Sequence, residues 1–199
     1  GIRARRIPRR RWVHLRGGGR DDATLACDGN RGQARCRRGW RRLPSRRSAT
    51  DSWNLKAHMV SEPFDVRVGD GSIIALALHA GHALRPEVAA RTALSDSDRL
   101  REEDPFTGEI ARALPTYIIV RRSRYEVDLN RARDRAVYSD TSDAWGLEPW
   151  TEPLSPDVAE RSLATYDAFY ETLAQVVNVV LARCEWAVVL DLHSYNHRR

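Results

Sequence analysis

The stretch SIIALALHAG, residues 72–81, decides the fold of this chain. Its first seven residues form an almost continuous apolar run, which is typical of a strand buried on both faces of a sheet. A Gly-Asp-Gly turn precedes the run, and His79 follows it directly. The stretch therefore predicts a buried strand that carries a chemically useful side chain at its carboxyl end.

Two further apolar runs have the same character. Residues 117–120 (YIIV) predict a second buried strand, and residues 186–190 (WAVVL) predict a third. An amphipathic helix is predicted over residues 156–183, with Pro156 at its first position and Ser155 as its N-cap. Strands that alternate with helices predict an α/β fold, in which helices flank a largely parallel or mixed sheet.

Shorter elements are expected around these strands. Residues 64–68 alternate and predict a short strand, residues 86–94 predict a helix, and residues 109–114 predict a second short helix. Residues 95–108 and 139–155 are rich in turn-forming residues and predict loops. The first of these loops is strongly acidic, which matters for the chemistry considered below.

Charge divides the chain into two parts at Met59, its only methionine. Residues 1–58 carry 17 basic side chains against four acidic ones, whereas residues 59–199 carry 16 against 23. The first part has no sustained hydrophobic period and is Arg-rich low-complexity sequence. It is a disordered tail, a nucleic-acid-binding arm with tryptophans that stack on bases, or sequence that is not natively translated. We favour the last interpretation and expect residues 59–199 to be the folded domain.

Composition excludes several classes of protein. Hydrophobic residues make up 42% of the chain and charged residues 30%, which is compatible with a packed core. No apolar run approaches the roughly 20 residues of a membrane-spanning helix. Three cysteines at irregular spacing support neither a disulfide framework nor a zinc finger. We therefore expect a cytoplasmic globular protein that has neither a membrane nor nucleic acid as its main partner.

His79 and His193 each lie just beyond a predicted buried strand. Because functional groups gather at the carboxyl ends of such strands, the two imidazoles could converge on one ion. Hydrolytic zinc sites usually combine two histidines with a carboxylate. The acidic loop offers Glu102-Glu103-Asp104 as carboxylate candidates, and Asp191 could support the site from the same strand end as His193. On spacing alone, hydrogen-bonded scaffolding is the competing interpretation.

A second set of polar residues follows the second predicted strand. In an extended segment, Arg124, Glu126, Asp128 and Asn130 would fall on one side. Arginine beside asparagine suits the recognition of a carboxylate, because guanidinium offers a planar bidentate fork. A solvated charged face that balances the acidic loop is the alternative, and composition alone favours it.

Three motifs, in this order, resemble the N-formylglutamate amidohydrolase family. They are His79-Ala80-Gly81, the segment SRYEVDLNR at residues 123–131, and Asp191-Leu192-His193-Ser194. The middle motif is long and specific, and the resemblance covers residues from about 70 to 199. The family is related to the zinc carboxypeptidases. The resemblance therefore implies a zinc carboxypeptidase-like (phosphorylase/hydrolase-like) α/β fold.

The resemblance also implies a metal site. It assigns Zn²⁺, or another divalent metal, to His79 and His193. It places the third ligand in the acidic loop, where Asp104 is the first choice and Glu103 the second, because the register of that loop is not fixed by the motif.

The same resemblance implies how a substrate would be bound. Arg124, Asn130 and Arg131 become ligands of a substrate carboxylate, and Arg124 and Asp191 become catalytic candidates. The implied reaction is metal-assisted hydrolysis of the amide bond of a small N-formyl or other N-acyl amino acid, such as N-formylglutamate. A carboxypeptidase-like peptidase remains an alternative. A nucleic-acid-binding protein that acts through residues 1–58 is an alternative from another class.

One departure from the related carboxypeptidases affects the expected activity. In those enzymes a glutamate general base comes from a strand after the second histidine, whereas this chain ends at Arg199. The resemblance therefore predicts a domain that is incomplete at its C-terminus. We expect residues 1–199 alone to bind zinc weakly and to hydrolyse substrate slowly.

Overall fold

The computed structural model describes residues 2–8, 58–61 and 63–194. Within these residues the strands are β1 (Ile2–Pro8), β2 (His58–Ser61), β3 (Phe64–Arg67), β4 (Ile73–Ala77), β5 (Thr116–Val120) and β6 (Trp186–Leu192). The helices are α1 (Pro86–Ala89), α2 (Asp96–Glu102), α3 (Thr107–Arg112) and α4 (Pro156–Arg183). No helix in the described part of the chain is both long and apolar enough to cross a membrane.

The strands form one mixed sheet in the order β1-β6-β4-β5-β3-β2. β4 lies between β5 and β6 and runs parallel to both. The pairs β1–β6, β3–β5 and β2–β3 are antiparallel. The structure confirms the predicted α/β fold and the three predicted strands; β4 and β5 are almost wholly buried, whereas most residues of β6 are only partly buried. It makes β4, which ends two residues before His79, the neighbour of the strand that precedes His193.

Alternate side chains of the central strands pack on opposite faces of the sheet. Ile74 and Leu76 of β4 join a large apolar cluster with Phe169 and Val177 of α4. The intervening residues Ala75 and Ala77 join a smaller cluster that includes Ala111 of α3. Helices therefore cover both faces of the sheet, which explains why the strands are apolar runs rather than alternating ones.

α4 has the bounds that its sequence predicted. Ser155 occupies the N-cap and Pro156 the first turn, although the Ser155 side chain makes no capping hydrogen bond. The buried ring of Phe169 contacts the ring of Phe64 edge-on at 5.9 Å between centroids. Full burial of such side chains contributes about 1.5–3 kcal/mol each, so the apolar face of α4 holds it against the sheet.

The helices before β5 differ from the prediction. α1 is a single turn that ends at Ala89 rather than near residue 94, because Thr92 pairs with Trp150 in an isolated antiparallel bridge. The predicted loop at residues 95–108 contains α2, whose N-cap Ser95 accepts a hydrogen bond from the Asp98 backbone. α3 begins two residues earlier than expected, at Thr107.

The segment after β5 is a series of turns rather than an extended stretch. The backbone N–H of Val127 donates to the carbonyl of Ser123, as in one helical turn. Arg124 therefore meets Asp128, four residues later, whereas Glu126 turns away and accepts a hydrogen bond from Arg85. The expectation that the alternate residues share one side is wrong for Glu126.

Two strands that the sequence did not predict lie within the Arg-rich segment or begin at its last residue. β1 pairs with β6 along its whole length, with Ile2 opposite Leu192. β2 begins at His58 and lies at the far edge of the sheet. Residues 9–57 lie outside the described residues. The predictions of disorder, of nucleic-acid binding and of translation from Met59 therefore stay predictions.

Candidate metal centre

The carboxyl ends of β4 and β6 place two histidines side by side. The strands are parallel neighbours, with Leu76 opposite Asp191. His79 follows β4 by two residues and His193 follows β6 directly. The centroids of the two imidazole rings are 5.2 Å apart. The structure therefore brings together the two histidines that the strand pattern singled out.

Asp104 joins the two histidines from the loop that follows α2. Its backbone N–H donates to the carbonyl of His79 at 2.9 Å, which fixes the loop to the end of β4. Its Oδ2 lies 3.3 Å from Nδ1 of His79 and 3.0 Å from Nδ1 of His193. The hydroxyl of Ser194 donates to the other oxygen, Oδ1, at 2.9 Å. One carboxylate oxygen is therefore shared by both imidazoles.

His79, Asp104 and His193 form a group that could hold a metal ion. Each offers one ligand atom, and these atoms lie within 4.8 Å of one another. Two imidazoles and a carboxylate are the donor set of many hydrolytic zinc sites, and other divalent metals accept the same donors. Because both Nδ1 atoms face one ionised oxygen, the residues present fit such a group.

Each imidazole also contacts a second carboxylate, through Nε2, the ring nitrogen that does not contact Asp104. Nε2 of His79 lies 2.9 Å from Oδ1 of Asp128, and Nε2 of His193 lies 3.0 Å from Oδ2 of Asp191. A carboxylate on one ring nitrogen fixes the tautomer and leaves the other nitrogen free to bind a metal. Asp191 therefore stands where the sequence analysis expected it, behind His193.

The shared carboxylate and its histidines perturb one another's protonation. Burial opposes the ionisation of Asp104, but hydrogen bonds from His193 and His79 outweigh it and hold its pKa well below the usual range. Hydrogen bonds to Asp104 and Asp191 raise the pKa of His193 to about 9. Without metal at neutral pH, Asp104 is charged and His193 carries a proton that a metal ion would have to displace.

Asp128 is the most heavily hydrogen-bonded of these carboxylates. It is fully buried, and it accepts hydrogen bonds from Arg124 Nη2 at 2.8 Å and from the Tyr138 hydroxyl at 2.6 Å. The backbone N–H of Asn130 donates to its Oδ1 at 3.0 Å. Burial opposes its ionisation, yet the hydrogen bond from His79 and the charge of Arg124 keep its pKa far below the usual range.

Glu103, the second choice for the third ligand, points away from the metal group. Its buried carboxylate accepts hydrogen bonds from the hydroxyl of Ser123 and from Nδ1 of His82, the latter at 2.6 Å. Arg99 lies 3.7 Å from the same carboxylate. Glu103 thus links the segments that carry Ser123, His82 and Arg99. Its neighbour Asp104 is the acid that contacts the histidines.

The two arginines of the predicted carboxylate-binding set both contact Oδ2 of Asp128, Arg124 at 2.8 Å and Arg131 at 3.4 Å. Arg124 is 12% exposed, and each of its three nitrogens donates a hydrogen bond, to Tyr138, to the carbonyl of Glu102 and to Asp128. Asn130 is exposed. Arg131 is half-buried, and it donates to the carboxylate of Asp143 at 3.0 Å. Arg131 and Asn130 are therefore the more accessible members of the set.

Gly81 explains why the first motif needs a glycine. It forms an isolated parallel bridge with Ser123, and a Cβ added at this position would collide with the backbone of Arg121. The close approach brings the loop after His79 against the segment that carries Asp128. The first and second motifs are thus in direct contact through backbone atoms.

The sequence analysis missed three side chains of this centre. Asp128 stood inside the middle motif but was considered only as a neighbour of the arginines, and its contact with His79 depends on the turn that follows β5. Ser194 stood in the last motif without a role. Tyr138 gave no signal, since it lies in a segment without motif or periodicity.

Comparisons with known proteins agree with the motifs. The family model for N-formylglutamate amidohydrolase matches residues 71–199, a stretch that contains all three members of the metal group. No curated protein and no solved structure gives a significant match.

Proposed function

The chain belongs to the N-formylglutamate amidohydrolase family, and we propose that it hydrolyses the amide bond of N-formyl amino acids with a divalent metal ion. The observation that carries this proposal is the convergence of His79, Asp104 and His193 at one end of the sheet. Family membership by itself indicates that the protein is a hydrolase that acts on C–N bonds. The metal and the substrate are the parts that we add.

Zn²⁺ is the metal that we propose, with His79, Asp104 and His193 as its protein ligands. When bound, a divalent ion would supply Lewis acidity that activates water and polarises the acyl carbonyl. The protein's part is to present its donors in fixed directions. Asp128 and Asp191 do this by holding Nε2 of each imidazole, so that both Nδ1 atoms face Asp104.

We propose that Asn130 and Arg131 bind the carboxylate of the substrate. Arg131 is only partly covered, and its guanidinium can exchange a hydrogen bond with Asp143 for one with a bidentate anion. Arg124 is the more buried of the two arginines, at 12% exposed against 23%, although the nitrogens of Arg131 also have partners in Asp128 and Asp143. We therefore assign Arg124 mainly to the support of Asp128, although its charge also favours anion binding and developing oxyanion charge nearby.

The proposal is tested by metal-dependent release of formate. Residues 1–199 are stripped of metal, reloaded with Zn²⁺ and incubated in excess over N-formyl-L-glutamate, so that a single turnover is detected. We expect formate release that EDTA abolishes and that His193→Gln removes. His58→Gln is the matched control, because His58 lies on β2, the edge strand that is separated from β6 by three other strands.

Two outcomes would contradict the proposal. Formate release that is equal with and without metal would show that no metal takes part. Faster cleavage of a dipeptide such as glycyl-glutamate than of N-formylglutamate would favour the carboxypeptidase-like alternative instead.

A further inference from the structure

Tyr138 lies outside every motif, yet its hydroxyl contacts the carboxylate that holds His79. The side chain is only 2% exposed. The hydroxyl donates to Oδ2 of Asp128 at 2.6 Å and accepts a hydrogen bond from Nε of Arg124 at 3.2 Å. A short hydrogen bond to a buried carboxylate is charge-assisted and therefore stronger than a neutral one.

The two oxygens of Asp128 have different partners. Oδ1 faces Nε2 of His79 and accepts a hydrogen bond from the backbone N–H of Asn130, whereas Oδ2 accepts hydrogen bonds from Tyr138 and Arg124 and lies 3.4 Å from Nε of Arg131. These contacts together fix the rotation of the carboxylate about its bond to the chain, and Tyr138 supplies the shortest of those at Oδ2. They thereby fix the direction from which Oδ1 meets His79.

Two further contacts hold Tyr138 in place. The indole N–H of Trp150 donates to the Tyr138 carbonyl at 2.8 Å. The guanidinium of Arg131 lies over the Tyr138 ring at 4.5 Å. The hydroxyl is thus presented to Asp128 by a rigid surrounding, as a positioning residue requires.

We propose that Tyr138 is a positioning residue of the metal centre, which acts through Asp128 to hold His79 with its Nδ1 atom towards the metal. The inference rests on the proposed function only in that it requires a metal ion at His79, Asp104 and His193. It adds a residue from the segment between the second and third motifs to the set that controls metal affinity.

The chain contains a closely matched control in Tyr125. Its ring is 1% exposed and packs edge-on against Tyr138, with 5.6 Å between the centroids. In the described part of the chain, its hydroxyl has no hydrogen-bond partner. Tyr125→Phe and Tyr138→Phe therefore remove the same atom from the same buried cluster, but only the second removes a bond to Asp128.

The test measures the dissociation constant for Zn²⁺ alone, by competition with a chromophoric chelator, on wild type and both variants. We expect Tyr138→Phe to weaken binding by about 10-fold, at the low end of the range for outer partners of metal ligands. We expect Tyr125→Phe to stay within about twofold of wild type. Circular dichroism of the metal-free proteins checks that each is folded.

A double-mutant cycle separates positioning from a general loss of packing. If Tyr138 acts through Asp128, Tyr138→Phe should weaken metal binding much less in an Asp128→Asn background than in wild type. Equal effects in both backgrounds, or equal effects of Tyr138→Phe and Tyr125→Phe, would overturn the inference. A wild type that binds no Zn²⁺ would instead overturn the proposed function.

A measurement on the wild type keeps the inference testable if Tyr138→Phe fails to fold. In the Zn²⁺-loaded protein, ¹⁵N chemical shifts distinguish which imidazole nitrogen binds the metal. We expect Nδ1 of His79 on the metal and a slowly exchanging proton on Nε2. Metal on Nε2 would overturn the inference, because Asp128 could not then hold the ring as described.

Discussion

Replacement of Asp128 by asparagine tests whether one buried carboxylate holds the metal centre together. Asp128 makes close contacts with His79 at 2.9 Å, Arg124 at 2.8 Å and Tyr138 at 2.6 Å. The asparagine side chain has nearly the same shape as that of aspartate, but an NH₂ group, which donates hydrogen bonds, replaces one of the two acceptor oxygens. Whichever way the amide is turned, its NH₂ group faces a donor, and Arg124 loses its counter-charge.

The size of the effect follows from that environment. Removal of one partner from a buried ion pair destabilises a protein by about 3–5 kcal/mol. With a urea dependence of about 2 kcal/mol per molar for a small domain, the midpoint of urea unfolding should fall by about 2 M. Metal affinity of the folded variant should fall about 10- to 100-fold, because His79 loses the carboxylate behind it.

Asp167→Asn is the control for the same chemical change at the surface. Asp167 pairs with Arg133 at 2.8 Å, and both side chains are exposed. Exposed ion pairs contribute less than about 1 kcal/mol, so the midpoint should move by about 0.5 M or less. If D128N unfolds at the same urea concentration as D167N and binds metal like wild type, Asp128 does not hold His79.

Two further predictions concern the same end of the sheet. The pKa of His193 in the folded, metal-free protein is about 9, above its ordinary value of 6.5. The ion pairs of His193 therefore stabilise the fold fully below pH 6.5, and this stabilisation is lost as the pH rises through 9. The difference in melting temperature between metal-free wild type and His193→Gln should therefore shrink over that range, and a constant difference would contradict the ion pairs. Gly81→Ala should lower the melting temperature clearly, because its Cβ would collide with the backbone of Arg121, whereas Ala83→Gly should have a smaller effect. A Gly81→Ala variant as stable as wild type in thermal unfolding would show that the close approach is not needed.

The sheet could be predicted because the sequences of its central strands indicate that these strands are buried. β4 and β5 are buried on both faces and β6 is partly covered on both, so their sequences are short apolar runs that few other elements produce. A histidine just beyond two such runs then indicates a shared edge. The position of His79 beside His193 follows from that logic once the strands are parallel neighbours.

Other parts of the fold and of the metal centre depend on features that the sequence patterns did not reveal. α2 was missed because acidic residues and serines suggested a loop, although Ser95 and Asp98 cap a helix. Asp104 and Glu103 are adjacent, and only the tertiary packing of Ser123 and His82 on Glu103 decides which acid faces the histidines. β1 has an Arg-rich sequence that gave no strand signal, yet its backbone pairs with β6 along its whole length.

The pairing of β4 with β6 also bears on how the molecule assembles. Ile73 and Val188 are opposite one another but about 115 positions apart along the chain. Non-local pairings of this kind slow folding, because the intervening chain must be closed into a loop before the contact stabilises it. The two histidines are therefore brought together by a non-local pairing, so metal uptake reports that this pairing has formed.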